Sequence, residues 1–350
     1  MKKWLVTAGV LMLMGCLIFT MSGCASGWSF GGKHVEKSVE VTDAFSDIDI
    51  TSDTADITFS SSDDGSCKVV SYDNKKISYS VSVENGVLKI KTEDRRNGLG
   101  KFFNFGKSSL TLYLPESEYG SLSITDDTGD VSISDYKFGD VELKLDTGDV
   151  NMQNITCGNL KIEIDTGDIL VSGITCDSFV TSGDTGDVNA TSLVASDSVS
   201  IETDTGDVEL NNVTCGGKLA LETDTGRIKA SDATCLDMTV GVSTGKANIT
   251  NVSCSSFTSA GDTGDITMTN LVAIDKIDVK RKTGDVKFNG CDSAEIYVTT
   301  DTGDVSGTLL SEKVFVINTD VGKVQVPESY SGGKCKITTD TGDVKISIGQ

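Results

Sequence analysis

Aspartate is the residue that recurs often enough, at regular enough spacing, to do chemistry. Eight carboxylates stand in pairs three residues apart: Asp146 and Asp149, Asp165 and Asp168, Asp184 and Asp187, Asp204 and Asp207. Each pair brackets a Thr-Gly. Carboxylate oxygens are the ligands Ca²⁺ takes, so one chemistry open to these residues is divalent-cation binding between successive pairs. The other is turn closure, in which an aspartate accepts backbone N–H groups beside a glycine that can adopt positive φ. Glycine-aspartate repeats that hold calcium use a nonapeptide motif that this chain lacks. Calcium is the one cofactor the spacing suggests, and both readings stand at this point.

Cysteine is the second recurrent type. Counting nine residues past successive glycines gives Cys157, Cys176, Ala195, Cys215, Cys235, Cys254 and Ala273. A slot that accepts Cys or Ala is small and apolar, and a buried thiol behaves as a small hydrophobe. Thiols of exported proteins also oxidise in pairs, so an inert stack and a set of disulfides are both open. There is no CxxC spacing and hence no thioredoxin-like or zinc-ribbon centre. The single histidine, His34, leaves the body of the chain without a Ser-His-Asp triad, a His-based zinc site or a His general base. A formal charge of −22 excludes a general nucleic-acid binder, because phosphate is repelled.

The elements that must position these residues follow from a repeat. Thr-Gly, or a close variant, recurs with glycine at 129, 148, 167, 186, 206, 226, 245, 264, 284, 303, 322 and 342, always 19 or 20 residues apart. Between glycines the apolar residues alternate, as in Val150, Met152, Ile155, Cys157, Leu160, Ile162 and Ile164. Period-two alternation marks half-buried strands. Each unit holds two short strands, parted by the Thr-Gly turn at one end and an Asn/Thr/Cys/Gly turn at the other. Such a unit cannot bury its own apolar face and must stack on the next. The fold expected is an all-β β-solenoid of the single-stranded β-helix type, of about twelve 19–20-residue rungs, with an irregular N-terminal β cap. Only two prolines occur, Pro115 and Pro327, as a ladder that needs every N–H requires. Like charges stacked at strand spacing repel by up to about 1 kcal/mol in water. Basic residues at Arg227, Lys246, Lys282 and Lys323 relieve part of that repulsion.

Three regions result. Residues 1–26 form a signal, lipoprotein or membrane-anchor segment, residues 27–120 a tether and cap, and residues 121–350 the repeats. In the cap, Asp53-Thr54-Ala55-Asp56 reads as a degenerate first corner, and Glu84-Asn85-Gly86 as a hairpin turn. The segment RRNGLGKFFNFGK is basic and aromatic. It either folds over the open end of the core or contacts anionic lipid or a partner through Arg95, Arg96, Phe102, Phe103 and Phe105. The C-terminal end, closing at Ile346 and Ile348, has no visible cap.

The first two dozen residues place the chain. A basic start, Met1-Lys2-Lys3, precedes twenty uncharged residues from Trp4 to Gly23. Met21-Ser22-Gly23-Cys24 resembles a bacterial lipobox, which implies lipidation at Cys24; the alternative is an uncleaved transmembrane helix. Either anchor puts the repeats on the outer face of the cytoplasmic membrane or the cell surface.

The order of features, a membrane segment, irregular strands, a strand ending at Leu114-Pro115, and then Thr147-Gly148-Asp149-Val150 with its copies, resembles the putative-adhesin β-strand-repeat family of bacteria. The resemblance covers about residue 40 to the end. It implies a surface β-repeat protein and brings no catalytic residues. The function expected is a non-enzymatic, surface-anchored solenoid for binding or scaffolding at the cell envelope. Its partners are an envelope or surface ligand and the membrane, with no nucleic acid. The alternatives are an envelope-stress sensor or regulator acting through the cap loop, and a carbohydrate-active β-helix enzyme using paired carboxylates.

Overall fold

A computed structural model describes residues 35–73, 77–94 and 108–349. Over these residues the chain is all-β, 77% strand with no helix, and forms a β-solenoid of about 11 turns. Successive segments pair in parallel one period apart. Leu143, for example, lies in register between Ile124 and Ile162. Stacking turns every inward residue into a ladder of Val, Ile and Leu shielded from water, and each fully buried Ile or Leu contributes about 2 kcal/mol.

Each turn bends three times. The first bend is the Thr-Gly corner. The second lies six residues past the glycine, at residues with φ between 52° and 66°: Asp135, Asn154, Ser192, Asn212, Asp232, Asn251 and Asn270. Inward alternation slips by one position there. In Ile169–Thr185 the buried residues run Ile169, Val171, then Ile174, Cys176, then Phe179, Thr181. The third bend follows the cysteine slot and absorbs the extra residue of the longer turns, where the ladder register shifts between Ala273 and Lys276. The Asn/Thr/Cys/Gly turn read from the sequence is therefore two bends, with a buried pair such as Ile155 and Cys157 between them. A left-handed residue shifts the inward alternation by one position without a loop, so those two side chains re-enter the core.

The cap comprises β1 (Val35–Val41), β2 (Asp47–Ser52), β3 (Ala55–Ser61), β4 (Cys67–Asp73), β5 (Ile77–Glu84), β6 (Val87–Asp94) and β7 (Ser108–Leu114). β2 and β3 already form a turn of the column, bent at the degenerate corner: Ile48 registers with Leu122 and Ile57 with Val131. β6 and β7 add one more parallel layer. Then the direction changes. β5 runs antiparallel to β6 through the hairpin at Asn85-Gly86, both with positive φ. β4 runs antiparallel to β7, and β1 to β4. Phe45, Phe59, Tyr119, Tyr136 and Phe138 form an aromatic cluster beside these layers, with ring centroids 5.8–6.3 Å apart.

Strands β8 to β22 carry the regular turns from Leu122 to Leu309. The last of these are β21 (Val286–Thr302) and β22 (Val305–Leu309), followed by β23 (Lys313–Val321), β24 (Val324–Gln325), β25 (Gly333–Thr341) and β26 (Val344–Ile348). The final turn in sequence is not the final turn in space. β25 lies between β21 and β23, with Cys335 opposite Ile296 on one side and Phe315 on the other. β26 lies likewise between β22 and β24. Ile346 is consequently buried: β23 and β24, and not the strands last in sequence, form the outermost described layer at this uncapped end. The turn with the intact corner, Asp340-Thr341-Gly342-Asp343, is inside. The turn whose corner reads Asp320-Val321-Gly322-Lys323 is outside.

Candidate functional site

At the Thr-Gly corner three successive backbone N–H groups are satisfied by the neighbouring turns. Gly148 N–H donates to Thr166 O at 3.0 Å and Val150 N–H to Asp168 O at 2.9 Å. The remaining donor, the N–H of the aspartate after glycine, meets the carboxylate of its counterpart one turn earlier. Asp168 N–H donates to Asp149 Oδ1, Asp187 N–H to Asp168 Oδ1 and Asp207 N–H to Asp187 Oδ1, each at 2.8 Å. Arg227 N–H donates to Asp207 Oδ1 at 2.7 Å. Asp149, Asp168, Asp187 and Asp207 thus hold one turn to the next. The aspartates before the threonine, Asp146, Asp165, Asp184 and Asp204, are exposed in a row beside them. The structure brings all eight to one edge of the column, as two rows and with turn closure as the visible task of one row. Among the described residues no group of three or more His, Cys, Asp or Glu could hold a metal ion.

Basic residues at this edge pair across turns. Arg227 Nη2 lies 3.0 Å from Asp207 Oδ2, Lys246 Nζ 3.1 Å from Asp265 Oδ2, and Lys282 Nζ 2.7 Å from Asp262 Oδ1. All are exposed, so each contributes at most about 1 kcal/mol. Next to the aspartate rows, Gly183 stands in register with Ile164. The missing side chain contributes to a shallow depression of about 270 Å³, lined by Lys144, Glu163, Asp165, Ser182, Asp184 and Glu202 among others.

The eight described cysteines are all buried and free. Burial pushes the Cys157, Cys176 and Cys335 thiols up to about 12. Cys235 is raised by its hydrogen bond to Cys254 and by burial. At neutral pH such thiols are protonated and poor nucleophiles, and they act as packing.

Four polar features escaped sequence reasoning. The left-handed residues at the second bend link turn to turn: Asn154 Nδ2 donates to Asp135 Oδ1 at 2.8 Å, Asn251 Nδ2 to Asp232 Oδ1 at 2.9 Å, and Asn270 Nδ2 to Asn251 Oδ1 at 3.0 Å. An Asn or Asp six residues past six of the twelve glycines, with Gly or Ser at three others, was the available signal. Asp126 points inward at a ladder position held by Leu145 in the next turn, and neither of its carboxyl oxygens makes a hydrogen bond. Arg281 is buried with its Nη2 donating to Ser259 Oγ at 2.9 Å, in the space left by Gly261, and burial lowers it to about 10. Lys313 is buried against Asp292 Oδ1 at 2.6 Å. A single charge within an otherwise apolar ladder gives no pattern to read.

Cys24 and the segment carrying Arg95, Arg96, Phe102, Phe103 and Phe105 lie outside the described residues. Among the described residues no helix is long and apolar enough to cross a membrane.

The sequence profile of the Toastrack DUF4097 family matches residues 45–250 and again 231–350. Among solved structures, a putative adhesin from Bacteroides fragilis is similar over 90% of this chain and 97% of its own, with 14% identity and a TM-score of 0.31. A putative adhesin from Parabacteroides distasonis matches over 88% and 97%, with 12% identity and a TM-score of 0.37. A putative lipid binding protein from the same species matches over 90% and 98%, with 14% identity and a TM-score of 0.33. No curated protein matches the sequence.

Proposed function

The chain belongs to the Toastrack DUF4097 family, and on that premise we propose that it is a non-enzymatic binding or scaffolding rod at the bacterial cell envelope. Its N-terminal segment tethers it, through lipid on Cys24 or as a transmembrane helix, and the column projects outward. One observation carries this reading. Outward positions return turn after turn at a 19–20-residue spacing, with aspartate at most of the corner positions, so the surface is an extended array of repeated positions. Repeat surfaces of this kind suit long ligands. The interior is filled by aliphatic ladders, which leaves ligand contact to the outer faces. The exposed row Asp146, Asp165, Asp184 and Asp204 beside the Gly183 depression gives that surface its charge, and an envelope polymer or protein with basic groups is the ligand class it fits.

The test uses the full chain in its own envelope. External protease should remove the repeats from intact cells after outer layers are permeabilised, and isolated envelope fractions should retain the purified chain. Replacing the four exposed aspartates by asparagine spares the residues that hold turn to turn. It should weaken retention at least about tenfold, more so at low salt. A cytoplasmic chain, or retention indifferent to the four substitutions, would overturn the reading.

A further inference from the structure

The two ends of the column are finished differently. At the N-terminal end the outer strands are guarded. β1 carries Glu36, Lys37 and Glu40, and β5 alternates serine with apolar residues at Ser78, Ser80 and Ser82. Charges on an edge strand are the usual defence against pairing with another sheet. At the opposite end β23 pairs, among the described residues, with β25 alone, which leaves its second edge without a described partner. Between Lys313 and Asp320 it carries no charge: Val314-Phe315-Val316-Ile317-Asn318-Thr319. Val316 is 48% exposed and Val321 65% exposed. Phe315 and Ile317, which point into the column, are only partly buried because no further turn lies on them.

Charge decides what can cover this end. The whole chain carries −22, yet residues 311–350 hold five acidic residues, Glu312, Asp320, Glu328, Asp340 and Asp343, and five basic ones, Lys313, Lys323, Lys334, Lys336 and Lys345. Two copies meeting anywhere along the acidic corners would repel. Two copies meeting at this neutral end do not.

We propose that the open edge of β23 pairs with β23 of a second copy of this chain, end to end about a two-fold axis. A two-fold axis crossing the column makes the two edge strands antiparallel, satisfies the free backbone groups of both, and places the incompletely covered Phe315 and Ile317 of each molecule over those of the other. The contact is the same patch on both partners, so it closes as a dimer and does not propagate. The N-terminal caps then lie at the two far ends. The consequence, that chains tethered to two envelopes join tip to tip, rests on the tethered-rod reading; the pairing itself does not.

Sedimentation of the full chain in mild detergent over a wide concentration range tests the pairing. A reversible monomer–dimer equilibrium is expected. Val316→Lys, at a half-exposed position, should weaken it by about 100-fold or more while leaving the melting temperature within a few degrees. Val316→Cys should give a covalent dimer under mild oxidation that the parent chain does not give under the same conditions; the eight described native thiols are buried. A chain that stays monomeric at every concentration overturns the proposal. So does a dimer untouched by Val316→Lys with no cross-link at Val316→Cys, and so does a ladder of larger species, which would mean head-to-tail contact. Clumping of cells carrying the chain, lost with Val316→Lys, extends the pairing to envelopes. A dimer in solution without clumping upholds the pairing and sinks the tip-to-tip role.

Discussion

Asp126 is the residue where the pattern and the physics conflict most. It occupies an inward position beside the first full Thr-Gly corner, with Ser52 Oγ and Thr54 Oγ1 also buried and without hydrogen-bond partners. Burial raises its carboxyl from 3.8 to about 6, opposed by the nearby Ser52 hydroxyl and Ala55 backbone and aided slightly by the charges of Asp127 and Asp53. The folded chain therefore holds this proton more tightly than the unfolded chain does. Its contribution is fully present below about pH 4 and is lost as pH rises through about 6, up to about 3 kcal/mol in all. Asp126→Asn, which cannot ionise, should flatten the fall in melting temperature between pH 4 and 7 and melt higher than the native chain at pH 7. A pH profile unchanged by the substitution would show that the carboxyl is not the group titrating.

At the scale of the element, the corner glycine is set by close approach as well as by φ. At Gly186, with φ of 149°, an added Cβ would sit 1.9 Å from Gly167 O, the carbonyl of the preceding corner. Backbone cannot yield as a flexible side chain can, so two turns would have to part. Gly186→Ala should cost at least about 3 kcal/mol in equilibrium denaturation, well above the usual penalty for a misplaced alanine. A cost under about 1 kcal/mol would mean the corners are not stacked as described. The same element shows what each aspartate does: the residue after glycine receives a backbone N–H of the neighbouring turn on its carboxylate, and the residue before threonine faces water, while both positions admit other residues, as Arg227, Lys246, Ser243 and Lys282 show.

The described turns stack in nearly one dimension, and the chain carries a net charge of −22. Rows of carboxylates one turn apart repel, and salt screens them over about 10 Å at 0.1 M. Raising sodium chloride to about 0.5 M should lift the melting temperature by roughly 3 °C or more. Calcium at matched ionic strength separates screening from coordination: a rise beyond that given by sodium would mean that the aspartate rows bind it. A melting temperature that falls with salt would place the dominant electrostatics in the exposed ion pairs instead.

What the amino-acid order determined by itself is the turn. Period-two alternation, a glycine every 19 or 20 residues and the near absence of proline are local requirements, and the ladders at Leu143, Ile162 and their neighbours follow them directly. The tasks of the aspartates and the cysteine slot were legible as alternatives, because a carboxylate beside glycine suits either a backbone donor or a cation, and only the position of the neighbouring turn shows which backbone donors the carboxylates meet. Which turn lies on which was decided in three dimensions. Every turn offers nearly the same inward pattern, so pairing one period away and pairing two periods away look alike in sequence. β25, between β21 and β23, carries the complete corner and the small inward Cys335 where β23 carries Phe315. The turn with Val321 in place of threonine is left at the edge. That exchange, settled by side chains forty residues apart, gives the column its open end.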